Sequence, residues 1–432
     1  MSARRLARRA AAGFAAAALA GLAALLAFGY RSGGDDADGA PALQATAEHA
    51  ARGAYLARAG NCAACHTARG GAAYAGGRGI ATPFGTVYAS NITPDADTGI
   101  GRWTSTDFWR AMHHGRSKDG RLLYPAFPYT SYTRVGREDT DAILAFLKTQ
   151  VAPVRQANRP HAVRFPYDSQ LALAAWRGLF FRPGGFEPDA ARAVDWNRGA
   201  YLVQGLGHCS ACHAARNVLG ASSAPAALGG GLIPAQDWYA PSLAAADQAG
   251  VADWPIEAVV ALLREGISPH GSVLGPMAEV VQSSTQHLSD SDLRAVATYL
   301  KALPPVAAGT VPSQVVPPDP DRMQRGARVY EKRCADCHGD AGQGAPGAYP
   351  ALAGNRAVTM EPPVNVIRVV LAGGFPPSTG GNPRPYGMPP FGTELSDADV
   401  AAVVSFIRSS WGNAGSAVGP RQVDRLRRTA AE

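Results

Sequence analysis

All six cysteines of this 432-residue chain fall into three copies of one pentapeptide, Cys-x-x-Cys-His. Two thiols at this spacing can each add across one of the two vinyl groups of a haem, and the histidine that follows is then placed under the iron. The spacing is therefore the attachment signature of c-type haem, and we predict three covalently bound haems. The predicted attachment cysteines are Cys62, Cys65, Cys209, Cys212, Cys334 and Cys337, and the predicted iron ligands are His66, His213 and His338.

Two other uses of paired cysteines explain the pattern less well. Structural zinc sites take closed sets of four ligands, typically from two Cys-x-x-Cys pairs, so three separated pairs leave one pair without a partner. Disulfides across two intervening residues occur in thioredoxin-like redox motifs, but those motifs do not explain a histidine at the same place three times. The signature thus indicates haem as the cofactor. It does not by itself identify the function, because cytochromes of several functions carry it.

The N-terminus indicates the compartment. Arginines at positions 4, 5, 8 and 9 precede an uncharged run of 21 residues from Ala10 to Tyr30, which is long enough to span a bilayer as a helix. By the positive-inside rule, the rest of the chain then lies on the periplasmic side of a bacterial inner membrane. The run exceeds the apolar core of about 7–15 residues of a signal peptide, and Phe28-Gly29-Tyr30 is a poor cleavage site. We therefore favour a retained membrane anchor over a cleaved signal peptide.

The net charge gives no support for nucleic-acid binding. Four positive charges of the formal net charge of +7 belong to the N-terminal arginines, and the propionates of bound haems add negative charge. The folded part of the chain is therefore near neutral. The length suffices for about three domains of ordinary size, in agreement with three haem signatures.

An internal repeat surrounds each haem signature. A helix that contains glycine precedes the cysteines and a tyrosine-containing turn follows them; then come a helix closed by glycine and a helix with acidic residues at its start. No stretch shows sustained period-two alternation, so the sequence predicts an all-α fold in which one helical unit occurs three times. The copies of these four segments begin at Gly53, Gly199 and Gly326; at Tyr88, Tyr239 and Tyr349; at Thr106, Glu257 and Val364; and at Arg137, Ser289 and Ser396.

The predicted organisation is three tandem cytochrome c domains after an N-terminal membrane-anchor or signal helix. The segment between the first two domains contains Phe165, Trp176, Phe180 and Phe181, so we expect it to pack those domains together or to dock a partner. The C-terminal tail is basic, and we expect it to be disordered or a solvated helix. The predicted boundaries are 1–30 for the signal or anchor helix, 31–46 for a flexible tether, 47–152, 194–304 and 322–412 for the domains, 153–193 for the hydrophobic interdomain segment, 305–321 for a proline-rich linker and 413–432 for the tail.

The sixth ligand of each iron separates electron carriers from catalysts. A methionine there raises the reduction potential and closes the iron to substrates. Met388 lies in a proline-flanked loop just before the last helix of the third repeat, where no core-packing role is evident. Met277 occupies the same place in the second repeat. We predict that both methionines bind iron.

The first repeat departs from this pattern. The equivalent segment, Tyr124 to Tyr132, carries Phe127 and no methionine, and phenylalanine cannot bind iron. The nearest substitutes are Met112, His113 and His114. Three alternatives stay open for this haem: methionine ligation by Met112, ligation by one of the two histidines, or an iron with water or no sixth ligand.

The motifs of the chain together resemble a known family, the tri-haem cytochrome c subunits of bacterial membrane-bound dehydrogenases. The similarity extends from Gly53 to Trp411, and its one departure is Phe127, where many relatives carry methionine. The matching segments are Asn61–Thr67, Thr82–Gly85, Asn91–Asp95, Thr98–Gly101, Tyr124–Tyr132, Arg198–Leu202, Gly275–Met277 and Met388–Phe391.

The resemblance implies an electron-transfer subunit. Members of the family serve quinoprotein alcohol dehydrogenases, flavoprotein gluconate, sorbitol and fructose dehydrogenases, and molybdenum enzymes that act on aldehydes or N-heterocycles such as nicotinate. Such a subunit takes electrons from a separate catalytic dehydrogenase subunit and passes them to membrane ubiquinone or to a terminal acceptor. Two other functions stay open: a haem enzyme of the peroxidase or thiosulfate dehydrogenase type that works at an open first haem, and a cytochrome c subunit of a terminal oxidase.

Overall fold

The chain forms two compact units in a computed structural model that describes residues 3–31, 46–233, 235–305 and 315–430. One unit contains the residues up to Ala57 together with Cys65–Glu187, and the other contains Arg58–Ala64 together with the residues from Pro188 onward. Residues 32–45 of the predicted tether (31–46) and residues 306–314 of the predicted linker (305–321) lie outside the described residues. The predicted domain boundaries therefore stay predictions.

The described residues are mostly helical. Up to residue 187 the helices are α1 (Ala3–Arg31), α2 (Ala47–Ala59), α3 (Cys62–His66), α4 (Ser105–His114), α5 (Tyr129–Tyr132), α6 (Arg137–Thr149) and α7 (Gln170–Phe180). The next helices are α8 (Val194–Gln204), α9 (Ser210–His213), α10 (Ile256–Glu265), α11 (Pro276–Ser283) and α12 (Asp290–Lys301). The last are α13 (Pro320–Arg333), α14 (Ala335–His338), α15 (Arg356–Thr359), α16 (Val364–Ala372), α17 (Asp397–Ser409) and α18 (Pro420–Ala430).

Short antiparallel strands modify the predicted all-α fold. They are two to four residues long, too short to produce a recognisable alternation of polar and apolar residues. The pairs β1–β2 and β4–β5 follow the first and second haem signatures, and β3 extends the first pair. The strands are β1 (Gly79–Thr82), β2 (Gly85–Tyr88), β3 (Ala162–Val163), β4 (Gly231–Ile233), β5 (Trp238–Ala240), β6 (Ile267–Ser268) and β7 (Gly271–Ser272).

The first and last helices of each repeat cross at a glycine. Helix α8 meets α12 at Gly199, where a side chain would collide with the backbone carbonyl of Ala295. The preceding residue, Arg198, forms an ion pair of 2.8 Å with Asp292 in the first turn of α12. The same crossing recurs in the other two repeats. The equivalent residues are Arg52, Gly53, Asp139 and Ala142 for α2 and α6, and Arg325, Gly326, Asp399 and Ala402 for α13 and α17.

The predicted helix ends are confirmed. The middle helices α4, α10 and α16 end at Gly115, Gly266 and Gly373, whose φ angles of 58°, 73° and 64° favour glycine. The hydroxyls of Ser289 and Ser396 accept hydrogen bonds from the third residue of α12 and α17. Local signals therefore set the end of each middle helix and the start of the last helix in the second and third repeats.

The C-terminal tail forms a helix up to Ala430, as one of the two predicted alternatives had it, but this helix is packed and not solvated. Helix α18 packs against α16 and α17, and Val418, Val423 and Leu426 are buried in the core of the third repeat. Arg427 forms an ion pair of 2.8 Å with Asp397. The buried apolar face of the tail consists of only these three residues, and they are outnumbered by arginines in the sequence.

The hydrophobic segment after the first repeat packs on that repeat and on the N-terminal helix. Strand β3 pairs with β2, and Leu173 and Ala174 of α7 are buried next to Leu122. Phe181 is buried with its ring edge-on to Tyr129, whereas Phe165 is exposed. These contacts account for the apolar character of the segment within the first unit.

Helix α1 is long and apolar enough to cross a membrane over Ala12–Tyr30, by length and composition. It lies against α7 through small residues: Gly29 contacts the backbone of Ala174, and Gly178 contacts Leu25. Close approach at glycine is a common way for helices to pack when both are apolar. Most of the rest of this span is exposed in the structure, as expected of a membrane or signal helix.

We predict that Gly199→Ala destabilises the protein although alanine is the better helix former. The new methyl group would collide with the Ala295 carbonyl and force α8 and α12 apart, which we expect to lower the free energy of unfolding by about 1–3 kcal/mol. Denaturant unfolding of the haem-loaded protein measures the change. Gly229→Ala is the control, because a side chain there meets nothing within 4 Å. Equal stability of the two variants would contradict the proposed helix crossing.

Candidate haem sites

The three haem signatures form short helices, α3, α9 and α14, each of which ends at its histidine. The first cysteine of each pair is partly buried and the second is exposed, and none of the six thiols is in a disulfide. Burial raises the pKa of Cys209 to about 12 and that of Cys334 to about 11, so these thiols are protonated at neutral pH. Each signature therefore presents two reduced thiols and an imidazole on one short helix or on the residue that caps its start.

Each signature histidine is oriented by a backbone carbonyl from the turn that follows it. A carbonyl oxygen only accepts hydrogen bonds, so Nδ1 carries the proton in all three rings and Nε2 remains available to a metal. This is the tautomer that an iron ligand requires. The Nδ1–O distances are 2.7 Å from His66 to Ser90, 2.7 Å from His213 to Pro241 and 2.9 Å from His338 to Pro350.

The electrostatics of the three rings agree with a ligand role. Burial lowers the pKa of His66, His213 and His338, and the hydrogen bond to the carbonyl opposes this shift only in part. A lowered pKa keeps each imidazole neutral at physiological pH, and only the neutral ring binds a metal. Two reduced thiols next to an oriented, neutral imidazole form a donor set that fits a covalently attached haem.

The carbonyl acceptors are functional groups that the sequence did not reveal. Sequence comparison of the repeats detects the tyrosine-containing turns, but it assigns them no role. In the structure these turns supply the oxygen atoms of Ser90, Pro241 and Pro350. A backbone acceptor leaves no side-chain signature, so only the recurrence of the turn could have pointed to it.

The two predicted methionine ligands lie in different backbone settings. Met277 is in the first turn of α11, directly after Gly275 and Pro276. Met388 pairs with Gly374 through two backbone hydrogen bonds of 2.8 and 3.0 Å, and its side chain is packed against the core of the third repeat. Both side chains are half-buried. Their ligation of iron stays a prediction.

Backbone pairing places Phe127 at the position that corresponds to Met277. In the first two repeats the chain turns back after the middle helix and bonds to the carbonyl of the terminal glycine. Four residues after that bond, the first repeat reaches Phe127 and the second reaches Met277. The two bonds run from Leu123 to Gly115 and from Val273 to Gly266, both at 2.8 Å.

The three candidate substitutes lie together in the last turn of α4. Met112, His113 and His114 are all buried. The ring of His113 stacks on Trp109 with a centroid separation of 4.2 Å, and the carbonyl of His114 accepts a hydrogen bond of 2.7 Å from Arg177. The alternatives for the sixth ligand of the first haem therefore stay open.

Comparison with known proteins identifies relatives along most of the chain. A family model described as cytochrome c matches residues 50–150 and 323–411. The chain is 42% identical over 392 residues to the gluconate 2-dehydrogenase cytochrome c subunit of Pantoea cypripedii, covering 87% of this chain and 89% of the relative. It is 40% identical to the cytochrome c subunit of the quinone alcohol dehydrogenase of Gluconacetobacter polyoxogenes (88% and 84% covered). It is also 36% identical to the fructose dehydrogenase cytochrome subunit of Gluconobacter japonicus (87% and 82% covered).

We predict that Phe127→Met raises the reduction potential of one haem. A thioether stabilises ferrous iron more than imidazole or water does. The effect requires that the loop turns the sulfur of the new methionine toward the iron. If the first iron is open in the wild type, the reduced protein binds carbon monoxide at one haem and the variant at none. Redox titration and carbon monoxide difference spectra measure both effects.

The control for this prediction is Phe165→Met, the same change at an exposed site. It should leave the titration and the carbon monoxide spectrum unchanged. Three haems with methionine-type spectra in the wild type, none of them altered by Met112→Leu, would contradict our interpretation of the first repeat.

Proposed function

We propose that this chain, which belongs to the family of cytochrome c subunits of bacterial dehydrogenases, carries electrons from a catalytic dehydrogenase subunit to ubiquinone through three haems. Membership of this family implies covalently bound haem c. The observation that carries the proposal is the threefold recurrence of a Cys-x-x-Cys-His helix whose histidine is held by a carbonyl.

The three haems belong to three tandem cytochrome c domains in this proposal, at residues 47–152, 194–304 and 322–412. Cys62 and Cys65 attach the first haem, Cys209 and Cys212 the second, and Cys334 and Cys337 the third. His66, His213 and His338 bind the irons from one side. The repeated crossing of first and last helix at Gly53, Gly199 and Gly326 supports three copies of one domain, including the second, which lies between the two matched stretches.

Met277 and Met388 complete the second and third irons in this proposal. A thioether ligand raises the reduction potential and blocks access of substrates to iron. Both properties suit the transfer of electrons between fixed partners and do not suit catalysis at those haems. The first haem differs, because Phe127 takes the place of a methionine and no sixth ligand is assigned to this iron.

Helix α1 is a retained anchor in this proposal, and the haem domains lie on the periplasmic side of the inner membrane. Its contact with α7 supports retention, because cleavage after α1 would remove the partner of Gly178 and leave the Arg177 guanidinium without the Gly29 carbonyl, at 3.0 Å. Haem is attached to c-type proteins outside the cytoplasm. An anchor also holds the chain next to the quinone pool.

The substrate is oxidised by a separate subunit in this proposal. The sequence contains no dinucleotide-binding fingerprint, and its chemistry-bearing motifs are those of haem attachment. The relatives are named as cytochrome subunits of dehydrogenases for gluconate, alcohols and fructose. A flavoprotein, quinoprotein or molybdenum subunit therefore supplies the electrons.

The experiment is to purify the chain from its own membranes, identify the catalytic subunit that remains bound, and follow haem reduction by absorbance. We expect one of alcohol, aldehyde, gluconate, sugar or nicotinate to reduce the haems only when that subunit is present. Addition of a short-chain ubiquinone should then reoxidise them. Reoxidation by a soluble cytochrome but not by ubiquinone would contradict the quinone acceptor.

The rival function, a haem enzyme at the first repeat, makes a different prediction. Hydrogen peroxide or thiosulfate would then change the haem spectrum of the purified chain directly, in the absence of any dehydrogenase subunit. Turnover of either compound that is lost in Phe127→Met would favour the rival and overturn the proposed carrier function.

A further inference from the structure

Helix α16 of the third repeat contacts the second repeat within the second unit. Its residues Ile367 and Leu371 are buried in the core of the third repeat. Asn365 and Arg368 are three residues apart, so they share one face of the helix. Both contact the second repeat on strand β5. The helix thus presents one face to its own core and another to the neighbouring repeat.

Asn365 ties this helix to strand β5, which leads to the carbonyl that bonds the second haem histidine. Its amide oxygen accepts a hydrogen bond of 2.9 Å from the Tyr239 backbone N–H, and its amide nitrogen donates one of 2.7 Å to the Tyr239 carbonyl. Two residues later, the Pro241 carbonyl holds Nδ1 of His213. The third repeat therefore supports the proximal side of the second haem site.

Arg368 contacts a ring that adjoins the segment of the predicted sixth ligand. Its guanidinium lies over the ring of Trp238, 5.2 Å from the ring centroid. The Trp238 ring in turn fills the space that a side chain at Gly275 would need, two residues before Met277. The positive charge of the third repeat is thus placed next to the segment that carries the predicted sixth ligand of the second haem.

Arg368 has no anionic partner among the described residues of the chain. Its Nε and Nη1 atoms are buried and make no hydrogen bond there. The charge of Asp237 acts on it from a distance, and burial lowers the pKa of Arg368. A guanidinium stays charged in proteins and carries five N–H donors, so its buried nitrogen atoms require an anion or other acceptors. The pair of unsatisfied donors therefore points to a ligand that brings its own negative charge.

We propose that Arg368 of the third repeat pairs with a propionate carboxylate of the haem bound by the second repeat. A haem brings two carboxylates, and a planar guanidinium matches the geometry of a carboxylate. The inference rests on the proposed second haem. Reduction adds an electron to that haem, and a nearby positive charge stabilises the added charge. The third repeat thus raises the potential of the haem that precedes its own.

The test is a redox titration of the full-length, haem-loaded protein with Arg368 replaced by Gln or, as a second neutral residue of similar length, by Met. The midpoint of one haem should fall in both variants. The titration has one component for each haem. The component whose midpoint shifts in Met277→Ala is assigned to the second haem, and the one that shifts in Met388→Ala to the third. We expect Arg368→Gln to lower the component that Met277→Ala displaces and to leave the other two unchanged.

Two controls separate charge from packing. Arg368→Lys keeps the charge and should retain most of the wild-type midpoint. Arg356→Gln removes another arginine from the contact between the same two repeats, where Arg356 pairs with Asp253 and with the Gly250 carbonyl. It should move no component. An equal shift in Arg356→Gln would mean that the loosened contact is responsible, and it would overturn the inference.

The remaining outcomes distinguish this inference from the proposed function. A shift in the component that Met388→Ala displaces would assign Arg368 to the third haem and overturn the inference alone. No shift, with three haems intact, would do the same. Fewer than three components in the wild type would overturn the proposed haem arrangement, and the inference would fall with it.

Discussion

The hydrogen bond from Nδ1 of each signature histidine to a backbone carbonyl is the interaction on which the rest of each repeat depends. The cysteines and the histidine lie within five consecutive residues, but the carbonyl comes from a turn 24, 28 or 12 residues later in the chain. After the signature, the chain must therefore fold back so that this carbonyl oxygen lies within hydrogen-bond distance of Nδ1. The loops and strand pairs between signature and turn serve this return.

The helix crossing provides the rigid frame for that return. The first helix delivers the signature, and the last helix crosses it at glycine, where the backbones approach without side chains between them. An arginine next to each glycine pairs with an aspartate at the start of the last helix. The close contact and the ion pair fix the first helix relative to the last helix. The signature follows the first helix directly, so the position of its histidine is fixed as well.

Much of this arrangement follows from the sequence, and the exceptions have physical reasons. The glycine-closed and acid-capped helices are encoded locally, by residues such as Gly266 and Ser396, and they were predicted correctly. The strands were missed because pairs of two to four residues show no periodicity. Helix α18 was mistaken for a solvated tail because its arginines outnumber the apolar residues Val423 and Leu426. The hydrogen bond of His213 to the Pro241 carbonyl and the contact of Arg368 with Trp238 are tertiary contacts, and no local sequence pattern encodes them.

The most direct measurement for the account is the intact mass of the mature, membrane-extracted protein. We predict the polypeptide mass, including helix α1, plus three haems that survive acid–acetone extraction, because thioethers hold each one. Replacement of Cys209 and Cys212 by serine should reduce the number to two. A mature wild-type protein with two or fewer covalent haems would contradict the claim that one haem-binding unit occurs three times in this chain.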